Sequence, residues 1–198
     1  MPPNKKVAEE SPSVESAEQT EKQKPIVCRS GRALVKIWTN EGTEGNTWRN
    51  ATLSCLYKRE GAEQWEEGYS FGATDVTSLI SALESAQTNG LGGVSEEEAK
   101  TFKPAVMTPN AEHMPTTIQV GSSVAKIWNN GNEAGQKWKS LTTGCYYQDG
   151  SETKEGHSFG RREIAQLVVA LKEAQKHMGT PGGAVEENRE QVDETIQE

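Results

Sequence analysis

The chain carries an internal duplication, and this feature constrains its fold more than any other. Residues from Lys36 onward match residues from Lys126 onward at an offset of 90 positions. After a turn that is two residues longer in the first copy, the offset becomes 88, so that "EGYSFG" at 67–72 matches "EGHSFG" at 155–160. The first-copy residues with an identical partner include Ile37, Trp38, Asn40, Gly45, Trp48, Thr52, Cys55, Tyr57, Leu79, Ala82, Leu83, Ala86 and Gln87. Such a duplication predicts two copies of one structural unit.

Each copy has the pattern of antiparallel strands followed by one helix. The strand-like segments are rich in β-branched and aromatic residues and end in Asn, Gly, Asp or Glu. They are "RALVKIWT", "TWRNATLSCLYK" and "QWEEGYSFG" in the first copy and "SVAKIWN", "KWKSLTTGCYYQ" and "TKEGHSFG" in the second. Short upstream strands are predicted around Ile26–Ser30 and Thr117–Gly121. Apolar residues then recur at helical spacing in "TDVTSLISALESAQ" and "REIAQLVVALKEAQKHM", with Gly72 and Gly160 at the helix starts.

The predicted fold class is α+β, with two tandem repeats. Each repeat is a three- to four-stranded antiparallel sheet followed by one helix. Because a unit of about 60 residues is near the lower limit for independent stability, we expect the two to pack as an intramolecular pseudo-dimer. The predicted domains are repeat 1 at 27–90 and repeat 2 at 118–178. The polar stretch at 91–117 is predicted to be a linker, and 1–26 and 179–198 disordered tails.

The net charge of −8 is distributed unevenly along the chain. Residues 27–90 carry a net charge of −2 and residues 118–178 a net charge of +2, whereas 179–198 alone carries −5. The two predicted repeats are therefore nearly neutral together. An acidic tail of this kind either solvates the chain or competes for a basic surface on the same protein.

Several functional classes find no support in the sequence. The N-terminus has no apolar stretch of a signal peptide, and no run is long enough to span a membrane. Cys28, Cys55 and Cys145 lack metal-ligand spacing, which fits a reducing compartment. The two matched cysteines lie mid-strand on the predicted core side and are interpreted as buried hydrophobes. The histidines lie far apart, so we expect no metal, no cofactor and no catalytic site.

Strand alternation separates a core side of each sheet from a more polar side. Ala33, Val35 and Ile37 share the side that should meet the helix, as do Ala51, Leu53, Cys55 and Tyr57. The opposite side presents Leu34, Lys36, Trp38, Trp48 and Thr52, matched by Val124, Lys126, Trp128, Trp138 and Thr142 in the second copy. A half-polar face with two tryptophans and a lysine suits the stacking of bases of single-stranded nucleic acid.

The same tryptophans also suit a second interpretation, in which they fill a repeat or subunit interface. For Trp38 and Trp128 the two alternatives stay open, whereas Trp48 and Trp138 are predicted to be exposed. Nearby basic residues are candidates for phosphate contacts, although a charged helix start is often merely solvated. The predicted nucleic-acid-binding residues are Lys36, Trp38, Trp48, Arg49, Lys58, Arg59, Lys126, Trp128, Trp138, Lys139, Arg161 and Arg162.

The order of elements resembles a known group of proteins. "EEGYSFGATDVTSLISAL" at 66–83 and "KEGHSFGRREIAQLVVAL" at 154–171 each lead from a strand through "SFG" into a helix. This layout is similar to the single-stranded-DNA-binding transcriptional regulator fold of positive-cofactor-four coactivators, Whirly proteins and Pur-type proteins. The Pur-type proteins carry tandem repeats that dimerise within one chain. The resemblance implies that the helix-free sheet face is the binding surface, and the acidic cluster of Glu63, Glu66 and Glu67 implies weaker binding by the first repeat.

The sequence thus predicts a non-enzymatic protein that binds single-stranded DNA, or alternatively RNA, with low sequence specificity. The alternative is a protein–protein interaction or dimerisation module without nucleic-acid binding. Homo-oligomers through sheet or helix faces stay open, and no membrane and no small-molecule substrate are expected. The expected location is the cytoplasm, associated with the nucleoid, or the nucleus in a eukaryote.

Overall fold

The protein is described by a computed structural model that covers residues 24–111 and 113–179 of the 198 in the chain. Within these residues the fold is α+β, and every strand pair is antiparallel. The tails predicted at 1–26 and 179–198 lie outside the described residues, apart from 24–26 and 179. Throughout the described part of the chain, no helix has the length and apolar content needed to cross a membrane.

The first half of the molecule is a four-stranded sheet followed by a helix. Its elements are β1 (Ile26–Ser30), β2 (Ala33–Glu41), β3 (Thr47–Tyr57), β4 (Glu66–Gly68), β5 (Phe71–Gly72) and α1 (Ala73–Ala86), with β1 to β4 adjacent in that order. The upstream strand predicted at Ile26–Ser30 is confirmed. Gly31 in the β1–β2 turn has φ 53°, and a Cβ there would lie 2.9 Å from Ser78 Oγ. Glycine therefore lets α1 pack closely against this turn.

The second half repeats this plan with one strand added. Its elements are β6 (Ala105–Met107), β7 (Thr116–Val120), β8 (Ser123–Gly131), β9 (Lys137–Asp149), β10 (Glu152–Gly156) and α3 (Arg161–Met178). The strands lie in the order β10-β9-β8-β7-β6. The predicted upstream strand is present as β7, and Gly160 is the N-cap residue of α3, as Gly72 is of α1.

The segment 91–117 is folded over much of its length, which corrects its prediction as a linker without packed structure. A π-helical turn at Gln87–Leu91 extends α1, and α2 (Glu96–Lys100) follows, capped by the Ser95 side chain. Leu91 and Phe102 are buried in the core, and β6 pairs with β7. Leu91 and Phe102 are buried because they reach a core supplied by the two halves, whereas Val106, Met107 and Met114 of the same stretch are exposed.

Each half sends one short segment to the other, which the sequence did not predict. The third strands predicted over "QWEEGYSFG" and "TKEGHSFG" end at Gly68 and Gly156. Phe71 in β5 pairs with Leu141 of β9. Phe159 forms a bridge with Ala51 of β3, with N–H to carbonyl distances of 2.7 and 2.9 Å. Both phenylalanines are fully buried, and each pairs with a strand of the opposite half.

A single hydrophobic core lies between the sheets and the helices. The helix faces predicted from periodicity are confirmed, since Val76, Leu79, Leu83, Ile164, Leu167 and Leu171 are all fully buried. The predicted core side of the strands is confirmed as well for Ala33, Val35, Ile37, Ala51, Leu53 and Cys55. The helices also contact each other, since Gln175 Nε2 donates to Thr77 Oγ1 at 2.8 Å.

Candidate nucleic-acid interface

The sheet surface opposite the helices, here called the open face, contains both predicted tryptophan pairs. Register places Trp38 beside Asn50 and Trp48 beside Asn40 on β2 and β3. The second half repeats the arrangement, with Trp128 beside Ser140 and Trp138 beside Asn130. The open face consists of Lys36, Trp38, Asn40, Trp48, Asn50, Thr52, Lys126, Trp128, Asn130, Trp138, Ser140 and Thr142. Alternation along the strands therefore assigns these side chains to the predicted side, although Leu34 and Val124, predicted on the same side, are buried.

The inner tryptophans are half-buried and anchored to the sheet. Trp38 Nε1 donates to Thr52 Oγ1 at 3.0 Å, and Trp128 Nε1 donates to Thr142 Oγ1 at 2.9 Å. Each indole thus has its one polar group satisfied by the neighbouring strand. Neither alternative for Trp38 and Trp128 describes them fully, because they are neither buried in an interface nor freely exposed. Their orientation is fixed before any ligand binds.

The outer tryptophans are exposed, as predicted. Trp48 is 53% exposed and Trp138 is 51% exposed, although both lie within regular strands. A Cβ on Gly42 would lie 3.2 Å from the Trp48 ring, so glycine in the β2–β3 hairpin lets this indole lie against the backbone. Exposed indoles at matching places on one face provide two platforms for stacking.

The lysines of the open face are paired with glutamates. Lys36 Nζ lies 2.6 and 2.7 Å from the two carboxylate oxygens of Glu67 on β4, and Ser54 Oγ donates to the same carboxylate at 2.8 Å. Lys126 makes the matching ion pair with Glu155 on β10. The hydrogen bond from Lys36 lowers the pKa of Glu67, which favours the ionised carboxylate. These lysines are consequently less available to phosphates than the sequence suggested.

Arg49 and Lys139 lie on the helix side of the sheet, which corrects their predicted place beside the tryptophans. Arg49 Nη1 donates to the Gly90 carbonyl at 2.6 Å, and Lys139 Nζ donates to the His177 carbonyl at 2.6 Å. The reason is strand parity, because odd-numbered residues of β3 and β9 face the helices. Each cation binds a carbonyl near the C-terminal end of a helical segment, where the helix dipole favours positive charge.

The remaining predicted basic residues lie away from the tryptophans as well. Lys58 and Arg59 follow β3, and Arg59 is ion-paired with Glu66 at 3.1 Å. Arg161 and Arg162 are the first residues of α3, and Arg162 is ion-paired with Glu98 of α2 at 3.2 Å. The structure therefore brings together on the open face only the lysine and tryptophan members of the predicted site.

A cleft where the two halves meet was not predicted from the sequence. Its volume is about 450 Å³, and it extends from the open face of the first half to two rings from opposite halves. The rings of Tyr69 and His157 stack there, with centroids 6.2 Å apart and planes at 21°. The cleft is lined by Lys36, Trp38, Thr52, Leu53, Ser54, Glu67, Tyr69 and His157. Tyr69 and His157 occupy matching positions in "EGYSFG" and "EGHSFG", and this match is the sequence feature that could have drawn attention to them. Their contact could not be predicted, because it depends on the segments around Phe71 and Phe159 crossing to the opposite half.

The matched cysteines do not form a reactive site. Cys55 and Cys145 are buried in the core, as predicted. Burial raises the pKa of the Cys55 thiol to about 11 and raises that of Cys145 as well. Because the thiolate is the reactive form, both groups are inert at neutral pH.

No protein-family model matches this chain, and no curated protein or solved structure matches it either. The resemblance to single-stranded-DNA-binding regulators therefore rests on the order of elements in the sequence and stays a prediction.

Proposed function

We propose that the two halves are tandem repeats that pack as an intramolecular pseudo-dimer. Three kinds of matched contact support this. Phe71 pairs with Leu141, and the corresponding contact in the other direction is that of Phe159 with Ala51. The Lys36–Glu67 ion pair corresponds to the Lys126–Glu155 ion pair. The hydrogen bonds from Trp38 to Thr52 and from Trp128 to Thr142 also correspond.

We further propose that the open face binds single-stranded nucleic acid, DNA in preference to RNA, with low sequence specificity and without catalysis. The observation that carries this proposal is the matched exposure of Trp48 and Trp138 on one helix-free face. An exposed indole within a strand is unusual for a structural residue and suits base stacking, which contributes about 1–3 kcal/mol per base. The half-buried Trp38 and Trp128 add rigid aromatic surface between polar side chains that can reach base edges.

The paired lysines set the character of the proposed binding. Since Lys36 and Lys126 are neutralised by glutamates, stacking supplies most of the affinity and few phosphates are neutralised. The observed affinity for a single strand falls with salt in proportion to the number of phosphates neutralised. We therefore expect weak to moderate binding that depends less on salt than binding by a basic groove.

A titration with fluorescent oligothymidylate at about 50 and about 200 mM salt tests the proposal, since phosphate contacts weaken over that range. Binding should quench tryptophan emission. Trp48→Ala and Trp138→Ala should each weaken binding by about tenfold, since one stacked base is worth 1–3 kcal/mol. The matched control is Trp65→Ala, because Trp65 is also exposed but has no counterpart in the second half. Unchanged binding by the Trp48 and Trp138 variants would contradict the proposal.

The Lys–Glu pairs favour a second candidate, a protein-interaction module. A face whose lysines are already paired and whose aromatic residues are exposed resembles the composition of a protein interface, which is enriched in Trp and Tyr. Two results together would favour this function over the first. The protein would not bind the oligonucleotide at low salt, and it would associate with another protein chain in a way that Trp48→Ala or Trp138→Ala abolishes.

A further inference from the structure

The two halves differ at the outer edges of their sheets. In the second half, β7 pairs with β8 on one side and with β6 on the other. β1 occupies the corresponding position in the first half and pairs with β2. Among residues 24–111 and 113–179, no strand pairs with the other edge of β1. Within the described part of the chain, the first sheet therefore ends in a strand whose outer edge has no strand partner.

The side chains of β1 are also unusually apolar for an exposed edge. Ile26 is 42% exposed and Val27 is 51% exposed. Val27 lies on the open face, because its register partner is Lys36, whereas Ile26 lies on the helix side opposite Ile37. An edge strand with free backbone groups and exposed apolar side chains is a template for pairing with another strand.

In the second half, the strand that corresponds to β1 pairs with an added strand on its outer side. Ala105, Val106 and Met107 of β6 pair antiparallel with Thr117–Gln119 of β7. The corresponding residues of β1 are Val27, Cys28 and Arg29. The same strand geometry in the same protein thus accommodates an added antiparallel strand.

We propose that β1 pairs with β1 of a second copy of the chain, antiparallel and about a twofold axis. The register places Val27 opposite Val27 of the second copy and Ile26 opposite its Cys28. Partners across a sheet share one side, so this register keeps both copies of α1 on the same side and both open faces on the other. Val27 then meets Val27 of the second copy, and Ile26 meets its Cys28, rather than water.

Charge and composition favour a second copy over the protein's own N-terminal segment. Arg29 is the one charged residue of β1, and its Nε donates to the Gly31 carbonyl at 2.9 Å, so self-pairing opposes no like charges. Residues 15–17, which correspond to β6 at an offset of 90, have the sequence Glu-Ser-Ala, in contrast to Ala-Val-Met in β6. A polar segment of this kind lacks the apolar side chains that would cover Ile26 and Val27.

The proposed dimer is weak, because one pair of short strands buries less than the 1,200 Å² or so of a standard interface. It joins the first-half sheets of two copies into one continuous sheet. The open faces are then contiguous across the twofold axis, and their exposed tryptophans lie on a common surface. This inference does not depend on the proposed function.

Sedimentation equilibrium of the full chain from about 1 µM to about 1 mM, where weak complexes dissociate, tests the proposal. The mass should rise with concentration from 21.6 kDa toward twice that value. Val27→Lys should hold the mass at the monomer value. Met107→Lys is the matched control, since Met107 is 45% exposed on β6, the outer strand of the other sheet. It should leave association unchanged. Circular dichroism should show that both variants remain folded.

Cysteine crosslinking tests the register. Val27→Cys should form a disulfide-linked dimer under mild oxidation, whereas Met107→Cys should not. Three results would overturn the proposal: a monomer at every concentration, association lost with Met107→Lys but retained with Val27→Lys, or a monomer that dimerises only after deletion of residues 1–20. The last result would show that the N-terminal segment occupies the β1 edge.

Discussion

The two halves join to each other through matching contacts but anchor their own helices differently. In the first half, Arg32 donates to both carboxylate oxygens of Asp75 at 3.0 and 2.7 Å, and the N–H of Gly72 donates to the same carboxylate. In the second half, Ser122 takes the place of Arg32 and contacts Gln166 and Glu163 through hydrogen bonds of 3.2 and 3.5 Å. The strand contacts of Phe71 and Phe159 that join the halves, here called the joint, are therefore matched. The side chains that hold the start of each helix, in contrast, differ between the halves.

The largest effect should come from the joint itself. Phe71→Ala and Phe159→Ala should each lower the free energy of unfolding by about 3–5 kcal/mol, because each removes a fully buried ring and leaves a cavity. Urea unfolding followed by circular dichroism measures both. Similar losses for the two variants would support equivalent roles, whereas a loss below about 1 kcal/mol for either would show that the joint is one-sided.

The helix anchors should differ in strength. Asp75→Ala should cost about 1–3 kcal/mol, because it leaves the Gly72 N–H and the Arg32 guanidinium without their partner. Glu163→Ala should cost less than about 1 kcal/mol, because the 3.5 Å contact with Ser122 is long for a hydrogen bond and Gln166 also binds Ser122. Urea unfolding of both variants compares the halves directly. Equal losses of unfolding free energy in the two variants would contradict the expected difference between the helix anchors.

The Lys–Glu pairs should limit nucleic-acid affinity alike in both halves. Glu67→Gln or Glu155→Gln should strengthen oligothymidylate binding several-fold and steepen the salt dependence by about 0.7 per freed lysine. Glu152→Gln is the control, because it makes the same change in net charge at an exposed residue of β10. A control that strengthens binding equally would show that net charge, rather than a freed lysine, determines the affinity.

The smallest effect concerns pH. The pKa of Glu67 is lowered in the folded state from its ordinary value of 4.5, chiefly by the hydrogen bond from Lys36. Its contribution to stability is therefore present above about pH 4.5 and is lost as the pH falls through the lowered value. Because the pair is partly exposed, the loss should be below about 1 kcal/mol. Urea unfolding at neutral and acid pH should show a shallower decline for Glu67→Gln than for wild type. An equal decline would contradict this account.

Much of the architecture could be predicted from the sequence because it depends on local periodicity. The helical spacing of Val76, Leu79 and Leu83 identified the buried face of α1, and strand alternation identified Val35 and Ile37 as core residues. The exposure of Trp48 and Trp138 followed from the same alternation. These features need only the repeat distance of one element, which the sequence displays directly.

The rest depends on contacts between elements. The pairing of Lys36 with Glu67 requires β4 to lie beside β3 in one particular register, which neither strand specifies alone. Phe71 and Phe159 pair with strands of the opposite half, which the sequence of one half does not reveal. The third strands were therefore predicted to extend past Gly68 and Gly156, where they end. Phe102 lies in the stretch predicted to be a linker, and its burial could not be predicted because the core around it is supplied by distant segments.

The reciprocal placement of Phe71 and Phe159 also affects the order in which the protein can fold during synthesis. The first half is synthesised before Leu141 and Phe159. At that stage Phe71 lacks its partner on β9, and Ala51 lacks its bridge partner. These two contacts can therefore form only after the second half has been synthesised, and a nascent chain that stops after α1 lacks both of them.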